Sequence, residues 1–343
     1  MWAMVLKEFR QVRRDRRTLA MMIMIPLLLL VVFGYAASFD VSEFRTVVVG
    51  PAADRAAGAL PDAFRVDEVR PADGRAEAVE TLRDTDAVVA VVAGPDPQVL
   101  VDGSELFAAR AAVTVLSRIP DAPPHTILFN PELSTPAVMI PAIIGLILVF
   151  VGTVATSLGV VRERQAGTLE QLAVMPFRPR DVFVGKVLPY LLVAAIDLGI
   201  ILPAGLLLFD VPFEGSPFVF ALGAIVFLAV TLGIGVVIST VSQNQGQAIQ
   251  LAMMTLLPQV LLSGMVFPLD SMAGGVRWIS YLLPLTYFIQ ISRGVMVRGA
   301  PLDALILPLG LLAALGLVVF GLAIVRFRRD LAPAPARKAE AAA

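Results

Sequence analysis

Cysteine is absent from the 343-residue chain, which excludes disulfides, thiol nucleophiles, Cys-ligated zinc and iron–sulfur clusters. Histidine occurs once, at His125, so no metal site is expected. Lysine occurs only at Lys7, Lys186 and Lys338. A P-loop needs Gly-x-x-x-x-Gly-Lys-Ser/Thr to cradle nucleotide phosphates, and the one Gly-Lys pair, Gly185-Lys186, is followed by Val187. ATP binding by that route is excluded. Charge of either sign is also scarce, at 16% of residues against 57% hydrophobic, well above the roughly 45–50% apolar content of soluble domains. The composition is that of an integral membrane protein.

The charge that is present is unevenly placed. Residues 40–135 hold eight Arg, no Lys and sixteen Asp or Glu, a balance of −8, and the rest of the chain carries +7. An acidic soluble insert thus interrupts a basic membrane body. Within it, β-branched runs at 46–50, 87–93 and 98–101 predict strands, and helical spacing over 75–83 and 105–118 predicts helices. Its roughly 95 residues suffice for a small independent α/β domain. No catalytic constellation stands out in it.

A membrane span needs about 20 apolar residues. Six runs qualify, at 18–39, 137–161, 182–209, 218–241, 248–267 and 302–327, so the fold class expected is an α-helical integral membrane protein of six transmembrane helices. An even number places both termini on one side. Lys7, Arg10, Arg13, Arg14, Arg16 and Arg17 precede the first run, five more cations lie in 162–186, and Arg326, Arg328, Arg329, Arg337 and Lys338 follow the last. The positive-inside rule makes these segments cytoplasmic and the 40–135 domain extracytoplasmic. The first run is longer than a signal-peptide core, so a retained helix is expected. Residues 1–17 set Trp2, Val5, Leu6, Phe9 and Val12 against Lys7, Arg10, Arg14 and Arg17. That pattern fits an amphipathic interfacial helix, or else a basic flank without fixed structure. The tail at 328–343 is Ala/Pro-rich toward its end and predicts disorder.

The most informative stretch joins the second and third runs. The second helix extends through Arg162, Glu163 and Arg164 to Gly167, where a helix can end in the left-handed conformation. Thr168 and Gln171 then match a capping box, and Pro176 ends the new helix after about two turns. Pro179 and Asp181 suit a further restart. So short a helix is marginal alone, so residues 168–175 form a candidate docking surface for a soluble partner. The alternative is an ordinary interfacial loop that contains caps.

These residues resemble the signature of ABC type-2 exporter permeases: Arg162-Glu163, Gly167-Thr168-Leu169-Glu170, Leu172, Pro176 and Gly185-Lys186. Ser263-Gly264, Phe267-Pro268, Pro284-Leu285-Thr286-Tyr287 and Arg293-Gly294 are similar to the family's segment between its fifth and sixth spans, and Asn130-Pro131-Glu132 to its entry into the second. The resemblance covers almost the whole chain and points to the drug and small-molecule efflux branch. It implies two permease subunits, homodimeric or with a paralogue, in the bacterial cytoplasmic membrane. It also implies a separate cytoplasmic ATPase that binds ATP and Mg, this chain binding no cofactor. The 168–175 helix would be the coupling helix seated on that ATPase, with Glu163 and Glu170 as polar contacts. No nucleic acid is expected as a partner.

Candidate pathway residues follow from polarity inside the runs. Asp197 in the third run is costly in hydrocarbon, which fits a pathway or gating residue, or a protonated packing residue. Thr255, Gln259 and Ser263 recur at four-residue spacing on one face of the fifth, either lining a path or joining helices. Pro268, Gly274-Gly275 and Pro284 break 268–290 into pieces that read as re-entrant or interfacial helices, or as an aromatic belt. An outward-moving permease for an amphiphilic small molecule, drug or lipid is the leading expectation. The alternatives are an ion-gradient-driven secondary transporter using Asp197, and a membrane sensor with an extracytoplasmic ligand-binding domain.

Overall fold

The structure is a computed structural model, and it describes residues 43–85, 87–120, 122–166 and 179–331. The 1–17 arm, the first run at 18–39, the 168–175 helix and the end of the tail lie outside the described residues.

Residues 43–128 build a sheet domain. Its strands are β1 (Phe44–Val49), β2 (Phe64–Arg70), β3 (Val89–Val92), β4 (Gln98–Asp102) and β5 (His125–Leu128), with α1 (Ala53–Ala57), α2 (Arg75–Arg83) and α3 (Leu106–Leu116) between them. The sheet order is β2-β1-β3-β4-β5. All neighbours are parallel except β3 and β4. Because side chains alternate along a strand, the Val-rich central strands feed two cores. Val48, Val89, Val91, Val99 and Val101 pack with Phe44, Phe64 and Ala109 on one face. Val47, Val49, Ala90 and Leu100 pack with Ala78 and Leu82 of α2 on the other. Burial on both faces is what parallel strands covered by helices require.

The remaining described helices are α4 (Thr135–Gln165), α5 (Pro179–Phe209), α6 (Pro217–Val241), α7 (Gln245–Leu262), α8 (Gly274–Ser280), α9 (Pro284–Met296) and α10 (Ile306–Leu331). Among the described residues four helical stretches are long and apolar enough to cross a membrane: Thr135–Gln165, Leu188–Phe209, Pro217–Val241 and Asp303–Arg326. They fall on the second, third, fourth and sixth runs. The fifth run differs from its expectation. Its helix, α7, has 18 residues and ends at Leu262 rather than near 267, because Gly264 turns the chain at φ +84°. With Gln245, Gln247, Gln250 and Gln259 in that length, it is not one of the four apolar spans.

Helix α4 is the hub, packing against α5, α6, α7 and α9, and α6 also carries α10. Close approach of α4 to α9 rests on Gly145, where a Cβ would stand 2.6 Å from the Phe288 ring. Phe288 in turn stacks on Phe227 at 4.3 Å and meets Phe220 edge-on at 6.0 Å. The outer helices are unlike this core: Leu192, Ile196, Ile200 and Leu207 of α5, and Leu307, Leu317 and Leu322 of α10, are exposed. An apolar periphery of this kind is what lipid covers.

The sheet domain sits at the end of the bundle where α4, α6 and α10 begin. Its joint to α4 is built on Asn130, 5% exposed. The Asn130 Nδ2 donates to the carbonyls of Gly103 (3.2 Å) and Ser134 (3.1 Å), and Oδ1 accepts from the Ser134 N–H at 2.9 Å. Arg110 of α3 adds a bond to the Leu133 carbonyl at 2.9 Å. The backbone here is strained, with φ 65° at Phe129 and 48° at Leu133, positions that need such a network to hold them.

Candidate functional site

At the far end of the bundle from the sheet domain, the last turn of α4 is clamped to the α6–α7 turn. Arg164 Nη1 donates to the carbonyls of Ser239 and Ser242, both at 3.0 Å, which occupies acceptors that a helix end leaves unsatisfied. Gln245 Nε2 donates to Gln165 Oε1 at 2.9 Å, and Asn244 Oδ1 caps α7 by accepting from the Gln247 N–H at 2.9 Å. Arg162 is exposed and Glu163 half-buried on this stem. Gly167, Thr168, Leu169, Glu170, Leu172 and Pro176 lie outside the described residues.

The four pathway candidates are not brought together. Asp197 is half-buried on α5. Thr255 bonds within its own helix, Oγ1 to the Ala252 carbonyl at 2.8 Å. Gln259, 1% exposed, accepts from the Leu285 N–H at 3.3 Å and so joins α7 to the first turn of α9. Ser263, one turn further on, is fully buried, and its Oγ has no hydrogen-bond partner among the described residues. Of the four, Ser263 alone lines the chamber described next.

That chamber, about 620 Å³, lies between the sheet domain and the helices. Arg45, Val88 and Glu105 come from the sheet domain, and Thr286, Ile289, Gln290 and Arg293 from one face of α9, at the spacing that puts residues on one side of a helix. Leu305 enters from the 3-10 turn Asp303–Leu305 and Leu307 from the start of α10, and Asp270, Arg277 and Tyr281 form its rim. The 268–290 segment supplies this rim as three pieces: a 3-10 turn at Leu269–Ser271, α8, and the start of α9. The pieces are tied together by Thr286 Oγ1 donating to the Ser280 carbonyl (2.7 Å) and the Tyr287 hydroxyl to the Tyr281 carbonyl (2.6 Å).

Charges seal the sheet domain onto the helices. Asp270 is shared by Arg45 of β1, at 3.4 Å, and Arg277 of α8, at 2.5 Å. Both pairs are partly exposed and each adds little stability. Deeper, Arg298 after α9 donates from Nη1 to the Ser104 Oγ at 3.1 Å and lies 4.0 Å from Asp102 Oδ2. Asp102 Oδ1 accepts from the Ser104 N–H at 2.8 Å, while Oδ2 accepts no hydrogen bond among the described residues. Burial is the main cause that lifts the Asp102 carboxyl to about 6, with Arg298 opposing and Glu105 reinforcing the rise.

Sequence reasoning missed Asp102, Ser104, Glu105 and Arg298. Ser104 and Arg298 are 194 residues apart, so no local spacing could join them. Arg293 was visible only as part of the Arg293-Gly294 motif.

Long apolar helices that carry a sheet domain at one end, with a charged chamber at the junction, are the build of an integral membrane protein with a folded domain outside the bilayer. The chain belongs to the ABC-2 family: the family described as ABC-2 family transporter protein matches residues 16–325. Among its relatives in Escherichia coli is the probable multidrug ABC transporter permease YbhR, 25% identical, the match covering 88% of this chain and 91% of that one. Another is the probable multidrug ABC transporter permease YbhS, 27% identical over 96% of this chain and 97% of its own. The inner membrane transport permease YhhJ is 34% identical over a shorter stretch, 59% of this chain and 54% of that relative. As an ABC permease, the chain is a transport subunit without a nucleotide-binding site of its own.

Proposed function

We propose that the chain is the membrane subunit of an ABC exporter that moves an amphiphilic small molecule, drug or lipid outward across the bacterial cytoplasmic membrane. In this reading it has six spans, both termini are cytoplasmic and the sheet domain is extracytoplasmic. A separate cytoplasmic ATPase binds ATP and Mg, docks on residues 168–175 and drives the cycle, and a second permease subunit completes the pathway. The observation that carries the reading is the chamber: it lies at the end of α7 where Ser263 stands, and opposite the clamped Arg162-Glu163-Arg164 stem. The names of the multidrug relatives support a drug-like cargo, and the lack of a P-loop supports the separate motor.

The docking assignment is tested by capture of the ATPase on the full-length chain. The double substitution Glu170→Ala with Leu172→Ala should reduce capture by roughly tenfold or more, as expected when about 1.4 kcal/mol or more of contact is removed, and leave thermal unfolding unchanged. Unchanged capture removes the assignment.

A further inference from the structure

Five arginines stand on the chamber wall: Arg45, Arg65, Arg277, Arg293 and Arg298. Four have a carboxylate within ion-pair distance. Arg45 and Arg277 share Asp270, Arg65 has Asp67 and Glu43, and Arg298 has Asp102. Arg293 has no such partner among the described residues, although Glu105 stands on the same wall. It is 6% exposed, and its Nε donates to the Val138 carbonyl at 3.2 Å, which leaves both terminal nitrogens without an acceptor among the described residues. A buried cation is costly unless its remaining hydrogen bonds are accepted. The chamber beside it is amphipathic. Ile289 and Leu305 offer apolar wall on a lining that also holds Gln290 and Ser263, whose buried Oγ is likewise unbonded among the described residues.

We propose that the chamber is a binding site for an anionic amphiphile, its carboxylate or phosphate head held by the terminal nitrogens of Arg293 and its tail along Ile289 and Leu305. The paired N–H groups of a guanidinium fit two oxygens of either head, whereas a quaternary ammonium on an equal tail offers them no acceptor. This names the cargo class of the export reading and rests on it.

The test titrates the full-length protein, in phosphatidylcholine nanodiscs without ATP or ATPase, with fluorescent dodecyl phosphate and its dodecyltrimethylammonium counterpart. The phosphate should bind about tenfold tighter, a difference of about 1.4 kcal/mol. Arg293→Gln should abolish that preference and Arg293→Lys retain most of it. A second arm leaves Arg293 in place: the chain has no cysteine, so Gln290→Cys puts a single, half-buried thiol on the chamber wall. Dodecyl phosphate should slow its modification by a methanethiosulfonate, and the ammonium compound should not. Equal affinity for the two heads, an Arg293→Gln variant that keeps the preference, or a thiol that dodecyl phosphate does not protect overturns the site. Displacement by inorganic phosphate at equal concentration overturns the amphiphile assignment. Displacement by phosphatidylglycerol supports the site and identifies a bilayer lipid as the source of the same headgroup. Intact binding with no ATP-driven export counts against the export reading alone, whereas export indifferent to Arg293→Gln counts against this site alone.

Discussion

Asp102 and Arg298 meet where the sheet domain closes onto α9, with side chains 0% and 3% exposed. Each answers the other's burial only in part, because Oδ2 of Asp102 accepts no hydrogen bond among the described residues. The carboxyl is therefore lifted to about 6. The sign follows from linkage: a group whose folded value is raised stabilises the fold most when protonated, and that contribution is lost as pH rises from about 4 through about 6. Asp102→Asn keeps a bond from the Ser104 N–H and removes the titration. The unfolding temperature of wild type minus that of Asp102→Asn should thus fall across this window and level off above it. Arg298→Met leaves the carboxylate buried without its cation. It should cost roughly 3–5 kcal/mol at pH 8 and visibly less at pH 5, where the carboxyl can hold a proton. A loss of stability independent of pH would contradict the assignment.

At the scale of elements, two junctions set the architecture. Asn130 fixes the entry to α4 through three hydrogen bonds beside the strained backbone at Phe129 and Leu133. Asn130→Ala should destabilise by about 2–3 kcal/mol, since buried backbone groups lose their partners, and limited proteolysis should cut 129–134 faster. The α4–α9 contact depends on the missing side chain at Gly145. Gly145→Val should cost about 1–3 kcal/mol by overpacking, and Phe288→Leu should recover part of it in the double variant. Much of this level was legible in the sequence. Val-rich runs marked β1, β3 and β4, and helical spacing marked Arg75–Arg83. The edges were not legible: β2, Phe-Arg-Val-Asp-Glu-Val-Arg, carries four charges, and β5 has four residues. The run at 248–267 overestimated α7 because apolarity continues past the Gly264 turn, which only backbone geometry reveals.

At the scale of the whole molecule, the two ends of the bundle are built differently. One end carries the sheet domain and the chamber; the other holds the Arg162–Arg164 stem, tied to the α6–α7 turn. Sequence physics pointed to the stem because caps and breakers act locally. It could not assemble the chamber, whose residues come from the sheet domain, α8, α9 and the start of α10. Coupling between the ends is the central claim of the exporter reading, and transport tests it most directly. Inside-out vesicles holding the chain with its co-purified ATPase should accumulate a fluorescent amphiphile on ATP addition. Accumulation should persist when ion gradients are collapsed and disappear with Glu170→Ala combined with Leu172→Ala. Accumulation driven by an ion gradient in vesicles holding the purified chain alone would contradict the account.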